Sequence, residues 1–258
     1  MKISKKLLTG GQAAVESLKK ENVKHVFGLI GSATMEMFDA LYHEKTIKFI
    51  GVRDERTGTH MADGYARASN KPGIILAGQN GPGATNLVTG IAQAKAAFSP
   101  VISIAGSYST KDKMEDAFQG LDQQSLFSPI TKKTWTVKNS KIIPNVMSDA
   151  FSLAMKPRRG PVCVNLPRNI LAATNTYKIN ANKPSFESLS SLKSDNEKIK
   201  KAVKAFFKPT MKREGISLQD QIDSLQSKFD DLENDHLYIM REMQKLYNLI
   251  GKQNPNEN

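Results

Sequence analysis

The stretch "IKFIGVRDERTGTHMADGYARAS", residues 47–69, decides the fold. Six residues of strand character run into four charged ones, Arg53-Asp54-Glu55-Arg56, and then into a small-residue segment with helical spacing. A strand that turns through charge into a helix is the building unit of an α/β sheet. The carboxyl ends of such strands are where open α/β sheets bind ligands. Glu55 sits at that junction, as either a reactive carboxylate or a solvated turn residue.

The same alternation recurs on both sides of this stretch. Apolar runs of strand length occur at "HVFGLIG" (25–31), "GIILAGQ" (73–79), "PVISIAG" (100–106) and "GPVCVNLP" (160–167). Helical patterns separate them: "GQAAVESLKK" (11–20), "ATMEMFDALYHE" (33–44), "ATNLVTGIAQAKAAF" (84–98) and "IIPNVMSDAFSLAMK" (142–156). Continuous apolar runs are the signature of strands buried on both faces, and parallel strands need such helical crossovers. The fold class read from this is α/β: a doubly wound parallel sheet of five or six strands with helices on both faces, over residues 1–171. The basic start, "MKISKKLLTGGQAAVESLKK" (1–20), lacks the apolar core of an export signal and reads as an amphipathic helix.

Two further segments follow. Residues 172–210 begin with the Asn-, Ser- and Lys-rich "AATNTYKINANKPSFESLSSL", read as a surface linker, and continue into a short helix that Pro209 stops. Residues 211–258 read as a coiled-coil helix. Leu218, Ile222, Leu225, Phe229, Leu232, His236, Ile239, Met243, Leu246 and Ile250 alternate by four and three, a heptad repeat with one polar intruder. A self-associating chain or a partner-binding tail is the expectation.

Composition narrows the function classes. The chain has 258 residues, 39% apolar and 24% charged, and no apolar run nears the roughly 20 residues of a membrane span. The net charge of +12 invites a nucleic-acid reading. Six Lys/Arg against nine Asp/Glu from Met211 onward confine the excess to residues 1–210, much of it in the lysine-rich "KSDNEKIKKAVKAFFKP" (193–209). Nucleic-acid modules interleave such lysines with arginine or exposed aromatics in recognisable motifs, and no such motif is present, so neither nucleic acid nor a membrane is the expected partner. The single cysteine, Cys163, cannot form an internal disulfide, and a reduced cytoplasm is the expected compartment.

Standard catalytic motifs are missing. There is no Walker A sequence, no Gly-x-Ser-x-Gly elbow, and no His pair at metal-ligand spacing. Two loops remain. In "GQNGPGATN" (78–86), Gly81 and Gly83 allow close backbone approach, Pro82 stiffens the turn, and Asn86 lies in the first helical turn. Glu55 is the other candidate. A carboxyl enclosed by apolar walls tends to stay protonated and can donate to a ring nitrogen.

Taken together, these segments resemble a known family. "RDERTGTHMADGYARA", "GPGATNLVTGIAQA", "DAFQGLDQQSLFSPITK" and "RRGPVCVNLPRNI" occur in the order found in thiamine-diphosphate enzymes of the acetolactate synthase type. The likeness runs from about Thr9 to Pro209, where the family's middle domain begins. It implies that residues 1–171 are a pyrimidine-binding domain. The glutamate matching Glu55 hydrogen-bonds a pyrimidine nitrogen in that family and favours the tautomer that removes the thiazolium C2 proton. By the same resemblance Ile30, Gly31, Pro82, Asn86 and Gln119 line the pyrimidine or substrate side. Thiamine diphosphate is the implied cofactor, with Mg²⁺ arriving on a second, diphosphate-binding domain; FAD is left open.

Departures blur the substrate. Asp54 stands where the family usually has histidine, Ile30 where proline is usual, Gln79-Asn80 where Thr-Ser is usual, and Gly120 where glutamate follows the glutamine. "GLIGSATM" with "GQNGPG" looks nearer to sulfoacetaldehyde acetyltransferases. The Gly-Asp-Gly motif that anchors Mg²⁺ and diphosphate in the family does not occur in the sequence. Two readings follow. In one, the chain is the pyrimidine module of an enzyme acting on 2-keto acids or related carbonyls, inactive until a separate chain completes it. In the other, it is a truncated or fused non-catalytic protein that self-associates through its coil.

Overall fold

In the computed structural model, residues 3–180 are described. Eight strands and seven α-helices follow in chain order: β1 (Ile3–Thr9), α1 (Gly10–Lys20), β2 (His25–Leu29), α2 (Met35–His43), β3 (Lys48–Gly51), α3 (Glu55–Ser69), β4 (Gly73–Ala77) and α4 (Pro82–Ala96). They continue with β5 (Val101–Ser107), α5 (Gln123–Phe127), β6 (Thr134–Thr136), α6 (Ile143–Met155), β7 (Val162–Pro167), α7 (Arg168–Ala172) and β8 (Thr174–Asn180). Six strands form one parallel sheet in the order β3-β2-β4-β5-β7-β6.

The central strands are apolar along their whole length because helices cover both faces. Ile74, Leu76, Ile102, Ile104, Val162 and Val164 point into a core shared with Leu18 of α1, Met37 of α2 and Phe151 of α6. Their alternate neighbours Ile75, Ala77, Ala105 and Cys163 point the other way, onto Ala62 of α3, Leu87 and Ile91 of α4, and Phe127 of α5. That period of two is what a pleated strand buried on both sides must show.

The helices begin where local chemistry stops the strands. Thr9 caps α1 in a reciprocal box with Gln12: each backbone N–H donates to the other's side chain, at 3.0 and 3.1 Å. Asp54 caps α3 by accepting from the Arg56 N–H at 2.7 Å. Pro82 occupies the first position of α4, where no helical N–H is needed.

Two features differ from the sequence reading, and a third falls within its five or six strands. Residues 3–9, expected at the head of an amphipathic helix, form β1, and the helix starts only at Gly10. Residues 174–180, expected in a linker, form β8, which pairs antiparallel with β1 in a separate two-stranded sheet. Each segment satisfies the other's backbone across some 170 residues of sequence, a pairing no local pattern reveals. The sixth sheet strand is the three-residue β6, too short to register as a run. The coiled-coil segment, and the linker and middle-domain stub beyond Asn180, lie outside the described residues.

Candidate functional site

In the neighbouring strands β2 and β4, the chain leaves toward opposite faces of the sheet. After β2 it enters α2, on the first core; after β4 it enters α4, on the second. Such a divergence opens a crevice at the carboxyl edge. Here the two departing loops press backbone against backbone. A Cβ on Gly31 would lie 2.5 Å from Gly78 O, and one on Gly78 would lie 2.2 Å from Gly31 N. The Ala33 N–H donates to Gly78 O at 2.9 Å, so glycine is required at both positions by the closeness of the chains.

Glu55 is the first residue of α3 and is 3% exposed. One carboxylate oxygen, Oε2, accepts from Asn86 Nδ2 at 3.0 Å. The other, Oε1, has no hydrogen-bond partner among the described residues, and a Cβ on Gly83 would stand 3.1 Å from it. The carboxyl is therefore pinned on one side and open on the other.

Small residues make that meeting geometrically accessible. Gly58, Ala62 and Ala66 recur every fourth residue on the buried side of α3. A Cβ on Gly58 would come 2.7 Å from Ile75 Cδ1, so the helix lies directly on β4. A Cβ on Gly90 would come 2.5 Å from Thr59 Cβ, so α4 lies equally close to α3. Thr59 turns its hydroxyl back onto Glu55 O at 2.7 Å, which leaves no buried donor unpaired at the contact. Farther along α3, burial opposes ionisation of Asp63, yet Arg67 holds it with two hydrogen bonds of 3.0 and 2.6 Å. The carboxyl stays below its usual range.

A third loop, residues 108–122, closes the crevice from the β5 side. Gln79 bridges all three segments: its Oε1 accepts from Ser32 Oγ at 3.1 Å, and its Nε2 donates to Gln119 Oε1 at 2.8 Å. Asn80 Nδ2 donates to both Phe118 O and Gln119 O, at 2.8 and 3.0 Å. Gly81, at φ +55°, passes so close to Gln119 that a Cβ would meet its carbonyl oxygen at 2.8 Å. Gln119 itself sits at φ +57°, and Phe118 beside it is 81% exposed.

The sequence candidates thus divide. Glu55 and Asn86 are in direct contact, and Gly31 and Gln119 belong to the same crevice through Gly78 and Gln79. Gly83 links the two halves, since its missing Cβ would lie 3.1 Å from Glu55 Oε1 and 3.2 Å from Gln79 Cβ. Pro82 is exposed, and its carbonyl accepts from Thr85 Oγ1 at 3.0 Å. Ile30 stands at the rim, 64% exposed. Gln79 and Asn80, which the sequence read only as substitutions in the glycine loop, join the crevice beside Gly83, which it read as allowing close backbone approach; the signal was two amides set between two glycine turns. Among the described residues no helix is long and apolar enough to cross a membrane, and no group of three or more His, Cys, Asp or Glu is placed to hold a metal ion.

Residues 8–126 match the model of the thiamine pyrophosphate enzyme N-terminal TPP binding domain, a span containing Glu55, Asn86 and Gln119. The acetolactate synthase large subunit of Buchnera aphidicola subsp. Schizaphis graminum is 40% identical over 171 residues, 66% of this chain and 30% of that protein. Acetolactate synthase isozyme 3 large subunit of Escherichia coli K12 is 41% identical over 169 residues, 66% of this chain and 29% of its own. The large subunit of Haemophilus influenzae is 36% identical over 206 residues, 78% of this chain and 35% of its own. The chain therefore spans only about a third of these relatives' length. Residues 8–126 thus match the N-terminal TPP binding domain of thiamine pyrophosphate enzymes, and the relatives of the described domain are acetolactate synthase large subunits.

Proposed function

We propose that this domain holds the pyrimidine end of thiamine pyrophosphate, with Glu55 as the carboxyl that meets a ring nitrogen. The observation that carries the reading is the half-open carboxyl: buried, pinned at Oε2 by Asn86, and facing the missing side chain of Gly83 at Oε1. A flat heteroaromatic ring needs that kind of space beside a fixed oxygen. When bound, thiamine pyrophosphate supplies an electron sink for making or breaking a bond next to a carbonyl group. Glu55 then holds or passes one proton at that ring nitrogen, and Asn86 keeps the carboxyl in register. Gln79 and Asn80 hold the 118–119 turn over the crevice and present Phe118 at its mouth. We extend the reading to a 2-keto acid or related carbonyl substrate, and to a complementary domain that holds the Mg²⁺ and diphosphate in a homo-oligomer or with another chain. The likeness to acetolactate synthase large subunits supports that extension.

The test is a chimera in which residues 8–126 replace the matching segment of the E. coli isozyme 3 large subunit. Formation of acetolactate from pyruvate is measured with and without thiamine pyrophosphate. The expected result is cofactor-dependent activity that Glu55→Gln lowers by about 10²-fold or more while the protein stays folded. A folded chimera that binds thiamine pyrophosphate and loses nothing on Glu55→Gln would remove the assignment.

A further inference from the structure

The cations of the domain are unevenly placed on its sheet. The six strands run parallel, so their first residues share one edge, opposite the edge that holds Glu55. Exposed cations follow that edge in strand order: Lys48 opens β3, Lys24 and Lys71 precede β2 and β4, and Lys133 precedes β6. Two arginines fill the interval between. Arg159 Nη1 donates to Asn70 Oδ1 at 3.3 Å, reaching from the turn before β7 to the turn before β4. The exposed Arg158 lies 4.7 Å from the centre of the Phe98 ring, on the turn before β5. Lys156, also exposed, closes α6 beside them.

None of Lys24, Lys48, Lys71, Lys133, Lys156 and Arg158 has a carboxylate within ion-pairing reach among the described residues. The carboxylates nearest this edge are each held by another cation: Glu21 by Lys20, Glu44 by Lys19 and Asp63 by Arg67. Those cations sit in the last turns of α1 and α3, where they offset the helix dipole. Lys156 apart, the row lies on strand entries outside any last helical turn, so the dipole does not account for it. The opposite edge mixes both signs, as at Arg53, Asp54 and Arg56 after β3.

Uniform sign selects a polyanion, and aromatic rings interleaved with the row select one that carries flat bases. Phe98 is 50% exposed beneath Arg158, Tyr42 is 79% exposed in the last turn of α2, and Lys133 Nζ stands 4.8 Å over the Trp135 ring. The exposed aliphatic side chains Ile30 and Met35 lie at the other edge, after β2, so a lipid surface would find little to bury here. Six strands at a spacing of about 4.8 Å span about 24 Å, the length of about seven stacked nucleotides. A row along a flat edge tracks one strand, whereas the groove of a duplex is read by an inserted helix or ribbon.

We propose that this amino edge of the sheet binds single-stranded nucleic acid, with the cations against successive phosphates and Phe98 and Tyr42 as stacking surfaces. The row is assembled from separate connections, so no local motif announces it, and the sequence expectation of no nucleic-acid partner rested on such motifs. The proposal does not depend on the cofactor assignment at Glu55, which lies at the other edge.

The experiment follows the fluorescence anisotropy of a labelled oligothymidylate of about 12 nucleotides as the full chain is added at several salt concentrations. Saturable binding is expected, with log K falling against log salt at a slope of about −4, from about six phosphate contacts. The double variant Lys71→Glu, Arg158→Glu is expected to bind at least tenfold more weakly and to flatten the slope by about 1 or more. Lys138→Glu with Lys141→Glu makes the same charge change on exposed residues at the opposite edge and is expected to keep most of the affinity. The proposal is overturned if the oligomer fails to bind at about 50 mM salt, if the two double variants lose affinity equally, or if phosphatidylserine vesicles or polyglutamate bind at lower concentration than the oligomer.

Discussion

Asn86 Nδ2 lies 3.0 Å from Glu55 Oε2, joining the fifth residue of α4 to the first residue of α3 across 31 positions of sequence. A buried carboxylate that loses its donor keeps its desolvation cost without compensation. Asn86→Leu is therefore expected to destabilise the domain by about 1–3 kcal/mol in urea denaturation. Glu55→Gln retains an oxygen that can accept from Asn86 and should cost under about 1 kcal/mol. A larger loss for Glu55→Gln than for Asn86→Leu would mean the pair is not what fixes the carboxyl.

The glycines of the crevice are expected to separate folding from binding. Gly31→Ala and Gly78→Ala place a methyl group against backbone that cannot yield, at 2.5 and 2.2 Å, and each should cost about 1–3 kcal/mol or prevent folding. In Gly83→Ala the new methyl meets the Glu55 carboxylate and Gln79 Cβ at 3.1 and 3.2 Å. Side chains can give by tenths of an ångström, so stability should change little. In the chimera described above, however, apparent affinity for thiamine pyrophosphate should fall at least tenfold. Unchanged affinity in a folded Gly83→Ala chimera would place the ring elsewhere.

Asn80 holds two carbonyls of the 118–119 turn, at 2.8 and 3.0 Å, in a region whose neighbouring loop residues are exposed. Asn80→Ala should speed amide hydrogen exchange across residues 112–120 and speed chymotryptic cleavage at the already exposed Phe118, leaving exchange in β4 and β5 unchanged. Equal protection of that loop in wild type and variant would show that the Gln79–Gln119 contact suffices.

Acid stability should report on Glu44, which ends α2 beside the last turn of α1. Burial pushes its carboxyl upward, but hydrogen bonds from Lys19 at 2.8 Å and from Thr46 at 2.7 Å outweigh this and bring it down to about 2. A carboxyl depressed in the folded state contributes stability above its unfolded value, near 4.5, and loses it as pH falls toward 2. Glu44→Gln should lower stability at pH 7 by about 1–2 kcal/mol and flatten the melting temperature between pH 4.5 and 2. An unchanged acid limb would assign it to other carboxylates.

Burial pushes the Cys163 thiol up to about 12, with a hydrogen bond from Ser103 opposing only in part. A buried thiol of that kind does not ionise at neutral pH. Aromatic disulfide reagents should leave it untouched in the native protein and react with one equivalent after unfolding. Rapid native labelling would mean that β7 opens locally.

Much of this protein was legible without coordinates because its central strands and crossover helices carry strong periodic signals. The runs at 73–79 and 100–106 need no partner to be read, since burial on both faces keeps the strands almost wholly apolar, the one buried hydroxyl of β5, on Ser103, being paired with Val162 O. Glu55 was legible for a related reason: a charged turn between an apolar strand and a helix of small residues has few uses. The family resemblance then supplied its role. Other features depended on groups distant in sequence. Residues 3–9 become a strand because residues 174–180 satisfy their backbone, and a local reading of their apolar spacing favours a helix. Gln79 and Asn80 read as substitutions in a glycine loop, and only the return of residues 118–119 to that loop makes them its clamp. Sequence determined the parallel sheet, its carboxyl edge and the candidate carboxyl that stands there, because hydrophobic period and charge are local properties. Which oxygen of that carboxyl is held and which left open was decided by tertiary structure alone, because it depends on how closely α4 can lie against α3.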